Sequence, residues 1–496
     1  MAIGVLVAAM ALIPLGFVLY GAITTGPAES WRVLARPRIA MLLANTLSLA
    51  TVCMLATALI GVALATLVAR TDLPGKRLWH PLFVAPLAVP AFVNGYAWVS
   101  LDRSMMGFDG AFLVTTLSYY PLVYLPVLAS LRGLDPALDE SAYSLGRGTW
   151  ATYRTVILPQ LRPAILGGVL LVGLHLLAEF GALALLGFPT FTTAIYDQYG
   201  STFNGSAATM MAGVLVLCCL VLLLGELKLR GHQHLSRLGQ GSKRKPRMWR
   251  LGVAKAPVAA TCAALVALAV GVPTYALVHW LRVGASTAFP IGELTRAATT
   301  TATLALVGAV FATVAALPVA WLAVRHRSRT TMVIERSTYV ANALPGIVVG
   351  LALVIVSLRL APALYQTALL LIVAYAILFL PRAMVSVRAG LEQAPPVLDD
   401  VAKSLGVSPL EAARRVTLPL ILPSLGAGAA LIFLAISTEL TATLMLSPIG
   451  THTLATEFWS ASADLRYGAA APYALLLVLV SIPATWLLTR QERLDP

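Results

Sequence analysis

The 496 residues are 59% hydrophobic and only 11% charged, with a mean hydropathy of +0.84. A soluble globular chain carries about 25% charged residues, so this composition does not fit a soluble enzyme or a soluble binding module. The net charge of +14 lies mostly in short loops between apolar runs, which marks topology and not a nucleic-acid surface.

Apolar runs of bilayer-crossing length, roughly 18 residues or more, fall near 2–24, 40–69, 80–101, 111–131, 163–187, 207–229, 252–281, 295–324, 338–358, 363–386, 423–447 and 468–489. The fold class expected is therefore an all-α polytopic membrane protein of about 12 transmembrane helices. The first run has no Lys or Arg before Arg32. A cleaved signal peptide begins with a basic segment, so 2–24 reads as a permanent span. Cys53, Cys218, Cys219 and Cys262 all lie inside apolar runs without metal-ligand spacing and read as packing residues. An even number of spans puts both termini on one side. Of the 35 Lys and Arg residues, 27 fall in loops assigned inside and 8 in loops assigned outside. The positive-inside rule then places both termini in the cytoplasm. Arg32, Arg36 and Arg38 run against the rule and suggest an interfacial segment.

Two polar islands interrupt the apolar sequence. LDESAYSLGRGTWATYRTVILP runs from Leu138 to Pro159, and LDDVAKSLGVSPLEAARRVTLP from Leu398 to Pro419. They superpose at an offset of 260, with Asp139 on Asp399, Ala142 on Ala402, Gly146 on Gly406 and Leu158-Pro159 on Leu418-Pro419. Pro121 and Pro381, Pro163 and Pro423, and Glu179 and Glu439 keep this offset. Upstream it becomes 255, pairing Arg70 with Arg325, Pro90 with Pro345 and Gly95 with Gly350. The five-residue difference is expected in the outside loop near 102–110. The chain thus reads as a tandem repeat. A first half of six spans (1–229) carries one island loop at 132–162. A second half of six spans (251–496) carries the other at 387–422. Equal orientation makes this a parallel repeat about an axis along the membrane normal. The join, 230–250, is basic and rich in Gly and Ser. It reads as a flexible cytoplasmic linker, anchored by anionic membrane lipid and not by nucleic acid.

Within each island the acids come first, where a helix N-terminus favours them. Gly146 or Gly406 is expected to be a joint between two short helices, and Leu-Pro is expected to stop the second before the next span. Seen once, such a segment would be an ordinary amphipathic loop. Its recurrence at constant offset points to a rigid knob that can transmit motion to the flanking spans.

These islands resemble the EAA loop of type I ABC importer permeases. In that loop an acid and two Ala precede Gly at fixed spacing and a Leu-Pro follows. The first copy has Glu140, Ala142, Gly146, Leu158 and Pro159; the second has Asp400, Ala402, Gly406, Leu418 and Pro419. Both copies depart from the pattern at the first Ala, and the second has Asp where Glu is usual. The resemblance implies the type I permease fold and a role for these residues in docking two separate ABC ATPase subunits. The sequence itself lacks a P-loop. Its one Gly-Lys pair, Gly75-Lys76, is followed by Arg77 and has Arg70 where the first Gly belongs. No cofactor is therefore expected on this chain, with ATP and Mg held by the partners, and no enzyme activity of its own.

Ionisable groups deep in a span cost roughly 2.5–3.5 kcal/mol each on insertion scales and are functional candidates. His175, Glu179 and Glu439 qualify. Glu179 and Glu439 are repeat mates, so a pseudo-two-fold would set them about a central path as tentative metal contacts. His175 lies four residues before Glu179 on the same helix face, and its mate is Ala435. The alternative is structural, with Glu179 paired to His175 and Glu439 tied by Thr438 or Thr441. The stretch Ala178–Tyr199 resembles the corresponding segment of fused ferric iron importer permeases. This implies an inner-membrane subunit served by a periplasmic or extracellular substrate-binding protein that meets loops 188–206 and 448–467. Thiamine, phosphonate or another small solute is the alternative cargo. A proton-coupled secondary transporter of 12 spans is the rival mechanism, and His175 with Glu179 would be its relay.

Overall fold

In a computed structural model, residues 1–200, 205–230, 247–283, 289–326 and 328–491 are described. They are helical almost throughout, as the bilayer requires of a segment that must satisfy its own backbone groups. Nine of the described helices are long and apolar enough to cross a membrane. Two helix pairs and the shorter apolar stretch Tyr467–Pro483 fill the remaining positions of the expected twelve.

The pairs are the third and ninth spans, and neither is the straight rod the hydropathy implied. Lys76–Ala88 and Ala91–Leu101 meet at 88°; Arg329–Ala343 and Gly346–Leu360 meet at 108°. The cause is the repeated proline. Pro90 and Pro345 each begin a second limb, and the residue before a proline is pushed out of the helical region. Val89 (φ −101°, ψ 110°) and Leu344 (φ −99°, ψ 113°) are both extended. The offset change also sits elsewhere than expected. The second limb has 11 residues in the first half and 15 in the second, so most of the extra length adds about one helical turn and little of it enters the loop.

The fifth and eleventh spans are broken as well. Leu158–Ala178 stops at Glu179 and a short helix, Gly181–Leu185, follows. Leu418–Ser437 gives way to Thr441–Leu446 after Glu439.

The chain divides into two compact units. One takes Met1–Ala40, Phe191–Val216 and Ala288–Val480; the other takes Met41–Thr190, Leu217–Thr287 and Ser481–Pro496. Each therefore joins most of one sequence half to the first span of the other half. In the unit built on 41–190, Phe83, Tyr120, Tyr124, Leu128 and Leu161 form a buried core, joined by Cys262 and Ala269 of the seventh span. Close helix crossings recur in both units at repeat-matched glycines. A Cβ on Gly168 would lie 2.8 Å from the Val123 Cα, and one on Gly428 would lie 2.4 Å from the Ser386 Cβ. Small residues that let helices approach are the usual means of association without a hydrophobic driving force.

Residues 231–246 of the join lie outside the described residues. Those after them, from Arg247, are not a free linker but pair with the loop that follows the second span.

Candidate coupling loops and buried carboxylates

The first island begins at Asp135, whose carboxylate accepts the Ala137 N–H (3.0 Å) and caps the helix Pro136–Ser144. Ala142 is buried on its inner face. Gly146 then takes φ +76° and Gly406, its mate, φ +80°. A side chain at either would meet nothing within 4 Å. Glycine is needed there for its backbone angle and not for space within this chain, since a left-handed angle costs an L-residue about 1–2 kcal/mol. Beside each joint stands an exposed leucine, Leu145 (79%) and Leu405 (76%).

The Leu-Pro pair does not stop the second helix. Helix runs on from Thr149 through Pro159 to Ala178 as one span. Proline lacks the N–H for the regular ladder, and the helix widens by a π turn just before it. The Leu158 N–H reaches the Tyr153 carbonyl, and the Leu418 N–H the Ala413 carbonyl. Leu158 and Pro159 are half-buried, whereas Leu418 and Pro419 are exposed. Ala402 is buried like its mate. Asp400 falls in the helix Pro396–Ser404, and its side chain lies outside the described residues. Glu140 is exposed on the first helix.

What anchors the first island was not singled out from sequence. Asp139 is buried, and Arg70, at the end of the second span and 1% exposed, reaches its carboxylate at 2.5 Å. Arg325, the repeat mate of Arg70, donates to the Ala394 carbonyl at 3.0 Å, and the side chain of Asp399, the mate of Asp139, lies outside the described residues. Both arginines were legible as repeat landmarks. Pairing a span-end arginine with the nearest repeated acid would have found the first contact.

Glu179 and Glu439 occupy equivalent places at the breaks. The Ala182 N–H donates to Glu179 at 2.9 Å, and the Tyr119 hydroxyl makes a very short bond to its other oxygen. Glu439 accepts from the N–H groups of Ala442 (3.0 Å) and Thr443 (3.1 Å) and from the Thr443 hydroxyl (2.9 Å). The Tyr375 hydroxyl lies 2.8 Å from that of Thr443. Each carboxylate thus caps the short helix that follows it, a favoured place for an anion. Thr443, and not the expected Thr438 or Thr441, supplies the hydroxyl. His175 sets its Nδ1 2.8 Å from the Leu171 carbonyl and its ring 5.6 Å from that of Tyr119. Among the described residues no three His, Cys, Asp or Glu side chains are grouped to hold a metal ion. In the loop 448–467, His452 lies 2.6 Å from Glu457 at the start of the helix Leu454–Ala463.

Two matched sets of bent and broken spans, each with a polar two-helix knob, define a duplicated polytopic membrane protein. The chain belongs to the family described as "Binding-protein-dependent transport system inner membrane component", which matches residues 60–226 and 308–494. It is therefore a multi-pass inner-membrane subunit of a transport system that works with a binding protein. It is 39% identical over 472 residues to the Fe(3+)-transport system permease protein FbpB 2 of Haemophilus influenzae, covering 95% of this chain and 93% of that one. It is 23% identical over 503 residues to the ferric transport system permease protein FbpB of Actinobacillus pleuropneumoniae, covering 93% and 72%. The sulfate transport system permease protein CysT of Escherichia coli is 29% identical over 217 residues, covering 40% of this chain.

Proposed function

We propose that this chain is the ferric iron permease of an ATP-driven importer, with both termini in the cytoplasm and loops 132–162 and 387–422 each seating one ATPase subunit. The observation that carries the coupling reading is the matched pair of exposed leucines, Leu145 and Leu405, beside glycines at positive φ. A single exposed leucine is ordinary, and it is the recurrence of the same one beside the same joint in both halves that supports a surface for a partner to cover. The cargo reading is supported by the 39% identity, over nearly the whole of both chains, to a permease named for Fe(3+) transport.

In this reading a loaded binding protein docks outside against 188–206 and 448–467. ATP binding draws the two ATPases together, the knobs follow, and the continuous helices Thr149–Ala178 and Ala413–Ser437 carry the motion into the membrane. Hydrolysis resets the cycle. The chain supplies path and linkage, and no bond-making chemistry. Glu179 and Glu439 hold the breaks in the moving spans. Backbone N–H groups already engage their oxygens, which supports a capping role over direct contact with the cation.

Uptake of ferric iron into vesicles holding permease, ATPase and binding protein tests this. Uptake should require all three components and ATP, and sulfate should not substitute. Full transport without the ATPase would refute the mechanism; uptake of sulfate and not iron would refute the cargo.

A further inference from the structure

The end of the join between the halves is bound to the first island at every level of its structure. Trp249 forms an isolated parallel bridge with Thr71. Its N–H donates to the Arg70 carbonyl at 2.7 Å, and its carbonyl accepts the Asp72 N–H at 3.0 Å. The Leu251 N–H donates to the Asp72 carboxylate at 2.8 Å, and the Lys255 Nζ lies 2.8 Å from its other oxygen. The Trp249 ring stands edge-on to Tyr153 at 5.5 Å and 85°, and its indole N–H points to the Tyr143 hydroxyl at 3.3 Å. The Arg247 guanidinium lies over the Tyr143 ring at 4.8 Å. Tyr143 is on the first helix of the island and Tyr153 opens the π turn of the second. One indole therefore touches both sides of the Gly146 joint. The backbone it pairs with belongs to Arg70, whose side chain holds Asp139.

The side chains that make these contacts are not repeated at the second island. The positions matching Asp72, Tyr143 and Tyr153 are Arg327, Lys403 and Ala413. The acceptor has become a cation and both aromatic rings are gone.

We infer that residues 247–255 are a strap that fixes the first docking loop alone, and that Trp249 is a positioning residue for coupling at that loop. Edge-to-face aromatic pairs and cation–π contacts each add to the burial of the rings. Together with the bridge they hold the two short helices at one angle. The second knob, without the strap, takes its angle from its own joint and its partner. The inference rests on reading 132–162 as a docking loop, but its physical part does not depend on transport.

Hydrogen exchange on the full chain in lipid nanodiscs, without partners, tests that part. Trp249→Ala should speed exchange of amides in 139–157 by about tenfold, the loss expected for one aromatic anchor, and leave 399–417 unchanged. Trp249→Phe, which keeps the edge contact with Tyr153, should retain most of the protection. No change at 139–157, or equal change at both islands, would overturn the strap. Should Trp249→Ala fail to fold, Asp72→Asn loosens the same bridge and carries the same outcomes. In the assembled transporter, Trp249→Ala should lower iron taken up per ATP severalfold, with recovery in Trp249→Phe. Unchanged stoichiometry would overturn the positioning role. Transport that needs no ATPase would instead defeat the proposed function and leave the exchange result standing.

Discussion

The two islands share a skeleton and differ in their surroundings. Both have a first helix of 9 residues, a glycine at φ near +80°, an exposed leucine and a π turn before Leu-Pro. Around the first, a buried arginine holds Asp139 and a tryptophan from the join fills the angle between helices. Around the second, the aromatic residues are replaced by Lys403 and Ala413, and among the described contacts Arg325 donates to the Ala394 carbonyl. The same contrast holds for the buried glutamates. Tyr119 of the fourth span meets Glu179, whereas its mate is Phe379, and Glu439 is met by Thr443 of its own short helix. Duplication has kept the backbone devices and let the side chains that brace them diverge. The lesson is that backbone geometry is what the two halves have in common, while the described side-chain contacts around it differ.

The largest test of this contrast is at the repeated arginines. Arg70→Ala strands a buried carboxylate, which typically costs about 3–5 kcal/mol. Arg325→Ala removes the donor to the Ala394 carbonyl, a bond worth about 1–2 kcal/mol. Thermal unfolding of the purified chain in detergent should rank the two in that order. Equal losses would mean that the halves are braced alike. Next come the glutamates. Glu439→Ala leaves two backbone N–H groups without their acceptor, at about 1–3 kcal/mol, while the Thr443 hydroxyl keeps the carbonyl of residue 439, and Thr443→Val should reproduce part of that loss. At Glu179 the matching partial loss should come from Tyr119→Phe and not from a change at Leu183, the mate of Thr443. Smaller again is the joint itself. Gly146→Val and Gly406→Val should each cost about 1–2 kcal/mol through the left-handed angle, while Asn, which tolerates that angle, should cost less. If Asn retains stability but loses iron uptake in vesicles, the bare glycine is needed by the partner. If Asn retains both, only the backbone angle is needed.

Much of this architecture was legible in the sequence because the bilayer makes apolar length a direct readout of spans, and because a repeat tests each landmark twice. The island residues, the joint glycines and the two glutamates were all found that way. What was missed follows from the same logic. Hydropathy counts apolar residues and is blind to direction, so the bends after Val89 and Leu344 were hidden inside runs of the right length. Pro90 and Pro345 were noted as landmarks, and the preference of the preceding residue for extended backbone was the signal that would have bent them. Leu-Pro was read by its usual helix-stopping effect, but a π turn removes the conflict and the helix continues. The strap left no signal in the repeat, since Trp249 lies in the join outside it and Asp72, Tyr143 and Tyr153 are matched by Arg327, Lys403 and Ala413. A feature present in one half only is invisible to a method that looks for what recurs.

The smallest expected effect isolates the strap from every other brace. Asp72 lies outside the spans, and the Leu251 N–H with the Lys255 ammonium holds its carboxyl below the ordinary range. A depressed carboxylate contributes its stabilisation above its unfolded value and loses it as pH falls through the folded one. The strap should therefore be indifferent to pH from about 8 down to about 5 and should loosen only below the ordinary aspartate value of about 3.9. Fluorine NMR of the fluorotryptophan-labelled chain can follow this, with the Trp249 line assigned by its loss in Trp249→Phe. That line should hold its position across the neutral range and move only in acid. In Asp72→Asn, which keeps an acceptor for Leu251 but loses the charge facing Lys255, the line should already be displaced at neutral pH and should no longer respond to acid. A shift of the wild-type line between about pH 7 and about pH 5 would instead place the responsive group elsewhere, because a carboxylate held below its ordinary value does not titrate there.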